Sequence, residues 1–515
     1  MAAWSEGYVT EVPYTDRFYG ELAPGYLAFA CLRRGVRPPR LRPGSAYLEL
    51  GCGNGYGLNL LAAANPRMDF RGVDFHPGQI DNAQRLADEA GLTNITFDDL
   101  SFAQLLDLPD ERLPRFDIVA LHGVYSWVNA ENRALIVRIL DRVLKPGGLA
   151  YVSYNCLPGW AAQATLQRFV AEHAARSSGD PRVRVMDGLR AAQAMQAGDA
   201  AFFQAIPFLK ARIEDALKED PAYLAHEYLN AGSQPLYHAE VARQMEGARL
   251  TFAASANVAD DFVHLAAAAP LQAMIQEAAD PVWRETLLDY AGDKPFRRDI
   301  YVRGHHPLTA LEQEALLDAT AFVLLAEPEA ISFEFPIPIG RVTGQPAVYQ
   351  PVVEALAEGP KTFGDLRRLP ALSGLREGAL LQAVTLLVGG RHIHPVSGLC
   401  GEDASAAAAF NGAASRRAEL GQVPIHLASD LAGTAVRVDL SDLIATGGAL
   451  GGEDLAATVA RGWTLMARTG RRLLVGGAVV QDQAGNEAEL ARRVEAFQGG
   501  RLARLRDLGV VGAAR

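Results

Sequence analysis

The chain is 515 residues long, which is enough for two to four domains. Hydrophobic residues make up 49% of it and charged residues 21%, the ordinary composition of a globular protein. The formal net charge of −11 argues against sequence-independent binding of nucleic acid, because such binding needs a basic surface.

Neither membrane insertion nor a disulfide framework is expected. No apolar run reaches the length of a membrane span, and the N-terminus lacks the layout of a signal peptide. The four cysteines are far apart and form no C-x-x-C pair. This spacing predicts reduced thiols in a cytoplasmic protein, and neither zinc nor another metal.

Residues 1–45 form an aromatic-rich lead-in with a helical pattern, which ends in a proline-rich stretch at 38–43. The favoured interpretation is a helix packed on the edge of a sheet. The alternative is a flap over a ligand site, which would supply Tyr14 or Tyr19 to that site.

A strand, a glycine turn and a helix follow. The apolar run 46–50 predicts a buried strand, and three glycines come directly after it: Gly51, Gly53 and Gly55. Glycines let the backbone turn tightly and approach a ligand, and the helix start directs free N–H groups at it. The dinucleotide fingerprint needs a glycine where Tyr56 stands. The pattern is instead E-x-G-x-G-x-G, with Glu49 as its acid.

Acidic residues end the next two predicted strands. The second strand ends in Asp74, 23 residues beyond Gly51, where an acid accepts hydrogen bonds from ribose hydroxyls in such folds. The alternative role is a cap on the next helix, which begins at Pro77. The third strand runs into Asp98 and Asp99. Asp98 is favoured for an adenine amino group, and a surface loop is the alternative.

Polar and aromatic segments follow the fourth and fifth predicted strands. Residues 116–121 lead into HGVYSWV at 122–128, and residues 149–154 lead into NCLPGW at 155–160. Ligands bind outside the carboxyl ends of strands, so both segments are candidate site segments, although the first could simply anchor its loop. Five strands alternating with helices predict a parallel, doubly wound α/β sheet.

Residues 46–160 resemble the core of class I S-adenosylmethionine-dependent methyltransferases, with LELGCGNGYG, RGVDF, FDD, HGVYSWV and LKPGG in that order. HEYLN (226–230), PLYHAEV (235–241) and FRRDIYVRG (296–304) add a narrower likeness. Together they resemble bacterial methyltransferases that carry a methyltransferase regulatory domain, a group that includes the rickettsial protein-lysine methyltransferases. The resemblance covers residues 1 to about 304 well and the C-terminal third only loosely.

The resemblance implies S-adenosyl-L-methionine as cofactor and lysine side chains of a protein as acceptor. The implied cofactor contacts are Glu49, Gly51, Cys52, Gly53, Asn54, Gly55, Asp74, Phe75, Asp98, Asp99, His122 and Tyr125. The implied catalytic, acceptor-side residues are Tyr14, His122, Tyr125, Trp127, Asn155 and Trp160. No D/N-P-P-Y motif follows the fourth strand, which argues against amino groups of nucleic-acid bases as acceptor.

A lysine acceptor must lose its proton before it can attack a methyl group, and its usual pKa is about 10.4. Tyr125, Trp127 and Trp160 could form an apolar slot that tolerates a cation and lowers this pKa. Tyr14 or His122 could orient the amine or relay its proton.

The sheet of this fold normally closes with two more strands, which the sequence predicts at 250–255 and 298–303. We therefore predict a catalytic domain over 1–304 with a helical insertion at about 178–240 that walls the acceptor cleft. The insertion carries a polar-aromatic cluster, for which hydrogen bonding between helices is favoured over substrate contact: His226, Glu227, Tyr228, Asn230, Tyr237 and His238.

The sequence pattern changes after residue 304. Residues 305–400 are predicted to be a linker and a winged-helix-like middle domain, with three helices followed by a short strand pair at 391–395. This unit is not markedly basic, so a structural or protein-docking role is favoured over DNA binding. Residues 401–515 predict a C-terminal α+β domain. The sequence leaves open whether the chain forms a homodimer.

Three functions stay open at this point. The first is a protein-lysine methyltransferase, and the second is a methyltransferase of the same fold that acts on a small metabolite. The third is a non-catalytic module that senses the cofactor or binds a partner. A small closed pocket would support the second, whereas an open groove that reaches the C-terminal part would support the first.

Overall fold

The computed structural model describes residues 17–512 except 377, 420 and 422. At its centre is a seven-stranded sheet with the order β3-β2-β1-β4-β5-β7-β6. The strands are β1 (Ala46–Leu50), β2 (Asp69–Asp74), β3 (Ile95–Asp99), β4 (Phe116–Leu121), β5 (Leu144–Asn155), β6 (Leu250–Ser255) and β7 (Phe296–Arg303). The first five strands are parallel, and β7 runs antiparallel to both β5 and β6. The predicted α/β sheet and its two closing strands are confirmed.

Helices cover both faces of this sheet, which is why its central strands are continuous apolar runs. On one face lie α1 (Pro24–Arg33), α2 (Tyr56–Ala64) and α3 (Pro77–Ala90). On the other face lie α4 (Phe102–Asp107) and α5 (Ala130–Val143). All parallel strands therefore end at one edge, where β1, β2 and β4 present their following loops.

Residues between β5 and β6 are helical. The helices are α6 (Ala161–Ala174), α7 (Pro181–Ala197), α8 (Ala201–Ala205), α9 (Phe208–Ala216), α10 (Pro221–Leu229) and α11 (His238–Glu246). Helices α6, α7, α9 and α10 enclose a small hydrophobic core of their own, which includes Leu166, Leu189 and Leu224. The helical stretch begins at Ala161, and the predicted domain boundaries stay a prediction. Three helices connect β6 to β7: α12 (Val263–Ala266), α13 (Ala269–Glu277) and α14 (Pro281–Ala291).

The middle part is built around a small antiparallel sheet with the order β11-β8-β12. Its elements are α15 (Ala310–Ala319), β8 (Ala321–Leu324), β9 (Glu334–Ile337), β10 (Gly340–Thr343), α16 (Pro346–Ala357), β11 (Lys361–Thr362), α17 (Phe363–Arg367), α18 (Ala379–Gly389) and β12 (Ile393–Val396). The predicted strand pair at 391–395 is wrong, because β12 pairs with β8, far earlier in the chain. The winged-helix interpretation stays a prediction.

The C-terminal part combines helices with two hairpins. Its elements are α19 (Ser405–Ala418), β13 (His426–Ser429), β14 (Thr434–Arg437), α20 (Leu440–Gly451), α21 (Leu455–Arg468), β15 (Leu474–Val475), β16 (Ala478–Val479), α22 (Gln483–Ala496) and α23 (Leu502–Asp507). It packs on α2: the Tyr56 hydroxyl donates to the His426 carbonyl at 2.5 Å, and Asn65 Nδ2 donates to the Gly433 carbonyl at 3.0 Å. Within the described residues, no helix is both long and apolar enough to cross a membrane.

A buried ion cluster ties β7 to α14. Arg297 is 1% exposed, and its guanidinium contacts the carboxylates of Glu285, Asp289 and Asp299 at 2.5–2.8 Å. The Asp299 carboxylate also lies 2.9 Å from His238 Nδ1, which joins α11 to the cluster. Removing one partner of such a cluster leaves an uncompensated buried charge.

We expect Arg297→Ala to destabilise the fold by about 3–5 kcal/mol, because three carboxylates lose their common cation. The measurement is thermal unfolding, with Arg243→Ala as control, since Arg243 is exposed on α11. The deficit relative to the unmodified chain should shrink as the pH falls, because protonation removes the uncompensated charges. A deficit no larger than that of the control would contradict this account.

Candidate functional site

The glycine turn after β1 is held by hydrogen bonds to the end of β2. The N–H groups of Gly51 and Cys52 donate to the Val73 carbonyl at 2.7 and 3.2 Å, and the Gly53 N–H donates to Asp74 Oδ2 at 3.0 Å. All three glycines of the turn have positive φ, between 55° and 73°. L-residues rarely adopt this conformation, so the turn depends on glycine.

Two of the glycines are also required by packing. A Cβ at Gly51 would lie 2.5 Å from Val124 Cγ2, and one at Gly55 would lie 2.4 Å from Ala83 Cβ. A Cβ at Gly53 would come no closer than 3.8 Å to its nearest neighbour, Gln79 Oε1. The backbone at Gly53 is therefore the part of the turn that a ligand can approach.

Asp74 organises this turn with both carboxylate oxygens. Oδ2 accepts from Gly53, and Oδ1 accepts from the His76 N–H at 3.0 Å. Burial raises the pKa of Asp74. The N-cap of α3 is His76 and not Asp74, because His76 Nδ1 accepts from the N–H groups of Gly78 and Gln79. Each oxygen of Asp74 keeps a second lone pair, so its proposed contact with ribose hydroxyls stays a prediction.

The acids after β3 lie beside Asp74 in register, with Asp74 opposite Asp99. Asp98 Oδ2 accepts from Arg71 Nε at 2.6 Å and is held in that ion pair. Asp99 is exposed, and Phe75 is partly exposed directly after β2. The contact of Asp98 with an adenine amino group and the cofactor contacts of Asp99 and Phe75 stay predictions.

Glu49 lines a narrow cavity of about 70 Å³ at the glycine turn, together with Arg17, Tyr19, Cys52, Asn54 and His122. Burial and the negative charge of Asp74 raise the pKa of Glu49 to about 8. Two acids beside an open stretch of backbone suit a ligand that carries a positive charge and hydroxyl groups. The residues present thus fit S-adenosylmethionine.

His122 lies at the carboxyl end of β4, on the other side of this cavity. Its Nδ1 is 2.9 Å from the Tyr151 hydroxyl oxygen, and the Tyr19 ring stacks on it with ring centroids 3.6 Å apart. Burial lowers the pKa of His122 to about 4, so the imidazole is neutral at physiological pH. Tyr19 is thus brought to the site, as in the flap alternative, whereas Tyr14 lies outside the described residues.

The predicted aromatic slot is not assembled around Tyr125. This side chain is fully buried in the core between the sheet and α5, and its hydroxyl donates to Gln244 Oε1 on α11 at 2.5 Å. The structure therefore does not bring Tyr125 into the cavity. Trp127 and Trp160 are also buried, and each ends a short turn after its strand. Their catalytic roles stay predictions.

Asn155 connects the end of β5 to the helices that follow. Its N–H donates to Ser126 Oγ at 3.0 Å, and its side chain lies close enough to the Glu227 carboxylate on α10 to lower the pKa of that group. Sequence reasoning had placed Glu227 in a helix-packing cluster and not among the site residues. The local sequence signal is an acidic residue within the apolar pattern of a short helix. This signal indicates a site residue only when the position of α10 in the fold is known.

A second cavity of about 1100 Å³ lies beside the first, and Phe18 lines both. Its walls come from all three parts of the chain and include Glu21, Arg298, His392, His426, Arg437 and Asp442. Glu21 Oε1 lies 2.9 Å from Arg298 Nε, and the charges of Glu21 and Arg298 both act on His122. The large cavity therefore borders the Tyr19–His122 stack.

Known proteins resemble this chain in sequence. The family model described as a methyltransferase domain matches residues 41–198, and the model described as a predicted methyltransferase regulatory domain matches residues 220–303. The uncharacterized protein sll1526 of Synechocystis sp. is 35% identical over 98% of this chain and 99% of its own length. The uncharacterized protein RP028 of Rickettsia prowazekii is 36% identical over 32% of this chain and 63% of its own length.

A solved structure shares the fold. PKMT2 from Rickettsia typhi, determined in complex with AdoHcy, is 20% identical to this chain. The match covers 96% of this chain and 99% of that one, with a TM-score of 0.70. The likeness thus extends through the middle and C-terminal parts, beyond the seven-stranded sheet.

We expect Glu49→Gln to remove a pH dependence of stability. The pKa of Glu49 is raised in the folded chain, so its stabilising contribution is complete below about pH 4.5 and is lost as the pH rises through about 8. The variant should therefore gain thermal stability relative to the unmodified chain between pH 6 and pH 9. The exposed variant Glu111→Gln serves as control. If the difference in thermal stability between Glu49→Gln and the unmodified chain stays constant across this pH range, the raised pKa of Glu49 is refuted.

Proposed function

Since this chain belongs to the S-adenosyl-L-methionine-dependent methyltransferases that carry a methyltransferase regulatory domain, we propose that it methylates lysine side chains of a protein. Its cofactor is S-adenosyl-L-methionine, which supplies an electrophilic methyl group when bound. The choice of a protein as substrate goes beyond what membership of this family shows. The resemblance to rickettsial protein-lysine methyltransferases and the likeness to PKMT2 support it.

The glycine turn would hold the cofactor through its own groups. The open backbone at Gly53 admits the ligand, and the carboxylates of Glu49 and Asp74 face the same region. A positive charge on the ligand would favour the ionised form of Glu49. These residues bind and orient, and the surrounding side chains exclude water.

The observation that carries the protein substrate is the large cavity. At about 1100 Å³ it lies at the upper end of the range for small-molecule pockets, and its walls reach the C-terminal part of the chain. Both acidic and basic residues line it, among them Glu21, Arg298, Glu327, Arg437, Asp442 and Arg501. Such a lining suits a segment of polypeptide better than a single small metabolite.

The groups beside this cavity suit a lysine acceptor. His122 is uncharged at neutral pH, so it does not repel an ammonium group. Tyr19 presents an aromatic ring at the same place, and aromatic faces attract ammonium groups. Tyr19 thus has the role of aromatic contact for the ammonium group that the sequence predicts for Tyr125.

The test is transfer of tritiated methyl groups from S-adenosylmethionine into an extract of the source cell, separated into protein and small-molecule fractions. We expect label in specific protein bands, on lysine by mass spectrometry. Asp74→Ala should weaken cofactor binding about 10-fold to 100-fold and reduce the label accordingly, because the glycine turn and the loop before α3 each lose a hydrogen bond to this carboxylate. Glu111→Gln should behave as the unmodified chain.

Label confined to small molecules would overturn the protein substrate and favour the metabolite hypothesis. Cofactor binding by calorimetry without any label would favour a sensing or partner-binding module.

A further inference from the structure

The Glu227 carboxylate lies beside the candidate site, next to Asn155. Glu227 lies on α10 and is partly exposed, and the side chains of Asn155 and Tyr223 lie close enough to its carboxylate to lower its pKa as hydrogen-bond donors. Among the described residues, no cationic side chain forms a salt bridge with it within 4.0 Å. Glu227 is therefore a partly exposed residue whose carboxylate has no counter-charge within salt-bridge distance among the described residues.

A chain of contacts connects Glu227 to the site. The Arg17 guanidinium lies over the Tyr223 ring at 4.8 Å and is hydrogen-bonded to Tyr19, whose ring stacks on His122. From the other direction, Asn155 is the last residue of β5, which pairs with β4, the strand that leads to His122. Both routes place Glu227 on the acceptor side of the sheet edge.

The surroundings leave Glu227 free to exchange a proton. Burial raises its pKa to about 7, while Arg212 on α9, Asn155, Tyr223 and Arg17 act in the opposite direction. Arg212 is exposed, so solvent weakens its effect. Tyr228, on the same helix, stays protonated, because burial raises its pKa to about 12. Both forms of the Glu227 carboxyl are thus populated near neutral pH.

We propose that Glu227 binds the protonated amine of the acceptor and takes up its proton, which makes it the general base of this methyltransferase. The inference rests on the proposed function, since it assumes an amine acceptor. The proton moves from the acceptor nitrogen to a Glu227 oxygen, which frees the nitrogen lone pair. The new N–C bond then forms as the methyl C–S bond breaks, and the sulfur keeps that electron pair.

Other carboxylates near the site are committed elsewhere. Glu21 is paired with Arg298 and Arg391, and Glu49 lies with Asp74 on the cofactor side of the glycine turn. His122 is a weak base, because its pKa is lowered to about 4. Glu227 is thus the acceptor-side group with both access and a suitable basicity.

The first experiment measures binding of n-butylammonium, which mimics a lysine side chain, by calorimetry in the presence of S-adenosylhomocysteine. From pH 6 to pH 8.5 the affinity of the unmodified chain should rise about 10-fold, because the ionised fraction of Glu227 rises from about a tenth to nearly all. Glu227→Gln should abolish this rise and weaken binding at pH 8.5 about 10-fold to 100-fold. The exposed control variant Glu219→Gln should keep both the rise in affinity with pH and the affinity at pH 8.5.

Tyr223→Phe keeps the carboxylate but removes a donor that lowers its pKa. The rise in affinity should therefore move to higher pH. This variant tests the proposal even if Glu227→Gln folds poorly. Affinity without pH dependence in the unmodified chain, or a rise that survives in Glu227→Gln, would overturn it.

The second experiment measures initial rates of methyl transfer into the protein fraction of the cell extract between pH 5.5 and pH 9. We expect an acid limb with its midpoint near pH 7. In Glu227→Gln this acid limb should disappear. The rate should fall about 10²-fold to 10⁴-fold, while the affinity for the cofactor stays unchanged. Undiminished rates in Glu227→Gln would refute a catalytic role. If no protein is labelled, the proposed function fails, and butylammonium binding alone decides the role of Glu227.

Discussion

The bond between the Asp74 carboxylate and the glycine turn is the constraint on which the site depends. One oxygen fixes the turn after β1 and the other fixes the start of the loop before α3, so a single side chain sets the spacing of two strand ends. Gly51 and Gly55 admit no side chain at this spacing, because Val124 and Ala83 occupy the space. The turn therefore has one arrangement, and it leaves the backbone of Gly53 open toward the cavity.

Most of the sheet could be predicted from the sequence, because most of its strands are short runs rich in apolar residues that end in a turn or an acid. The pairing of β12 with β8 could not, since it joins segments about 70 residues apart and neither run indicates its partner. Tyr125 shows the same limit within the site. Its place after β4 was predicted, but the direction of its side chain depends on Gln244, which a distant helix supplies.

The proposed acceptor side is assembled from four separate segments of the chain. Arg17 and Tyr19 precede the first helix, His122 follows β4, Asn155 ends β5 and Glu227 comes from the helical stretch. Local sequence patterns identify residue types, whereas this convergence arises from the packing of α10 over the sheet edge. For that reason the sequence identifies the cluster that contains Glu227 but favours hydrogen bonding between helices over substrate contact for it.

Helix α2 begins at the glycine turn, and the C-terminal part is bonded to both its ends. Tyr56, its first residue, donates to His426, and Asn65, just beyond its last turn, donates to Gly433. The N–H groups at the start of this helix and the C-terminal part therefore share one rigid element. Thermodynamic linkage makes any coupling between them mutual: if docking of the C-terminal part on α2 favours ligand binding at the turn, the bound ligand favours that docking by the same factor.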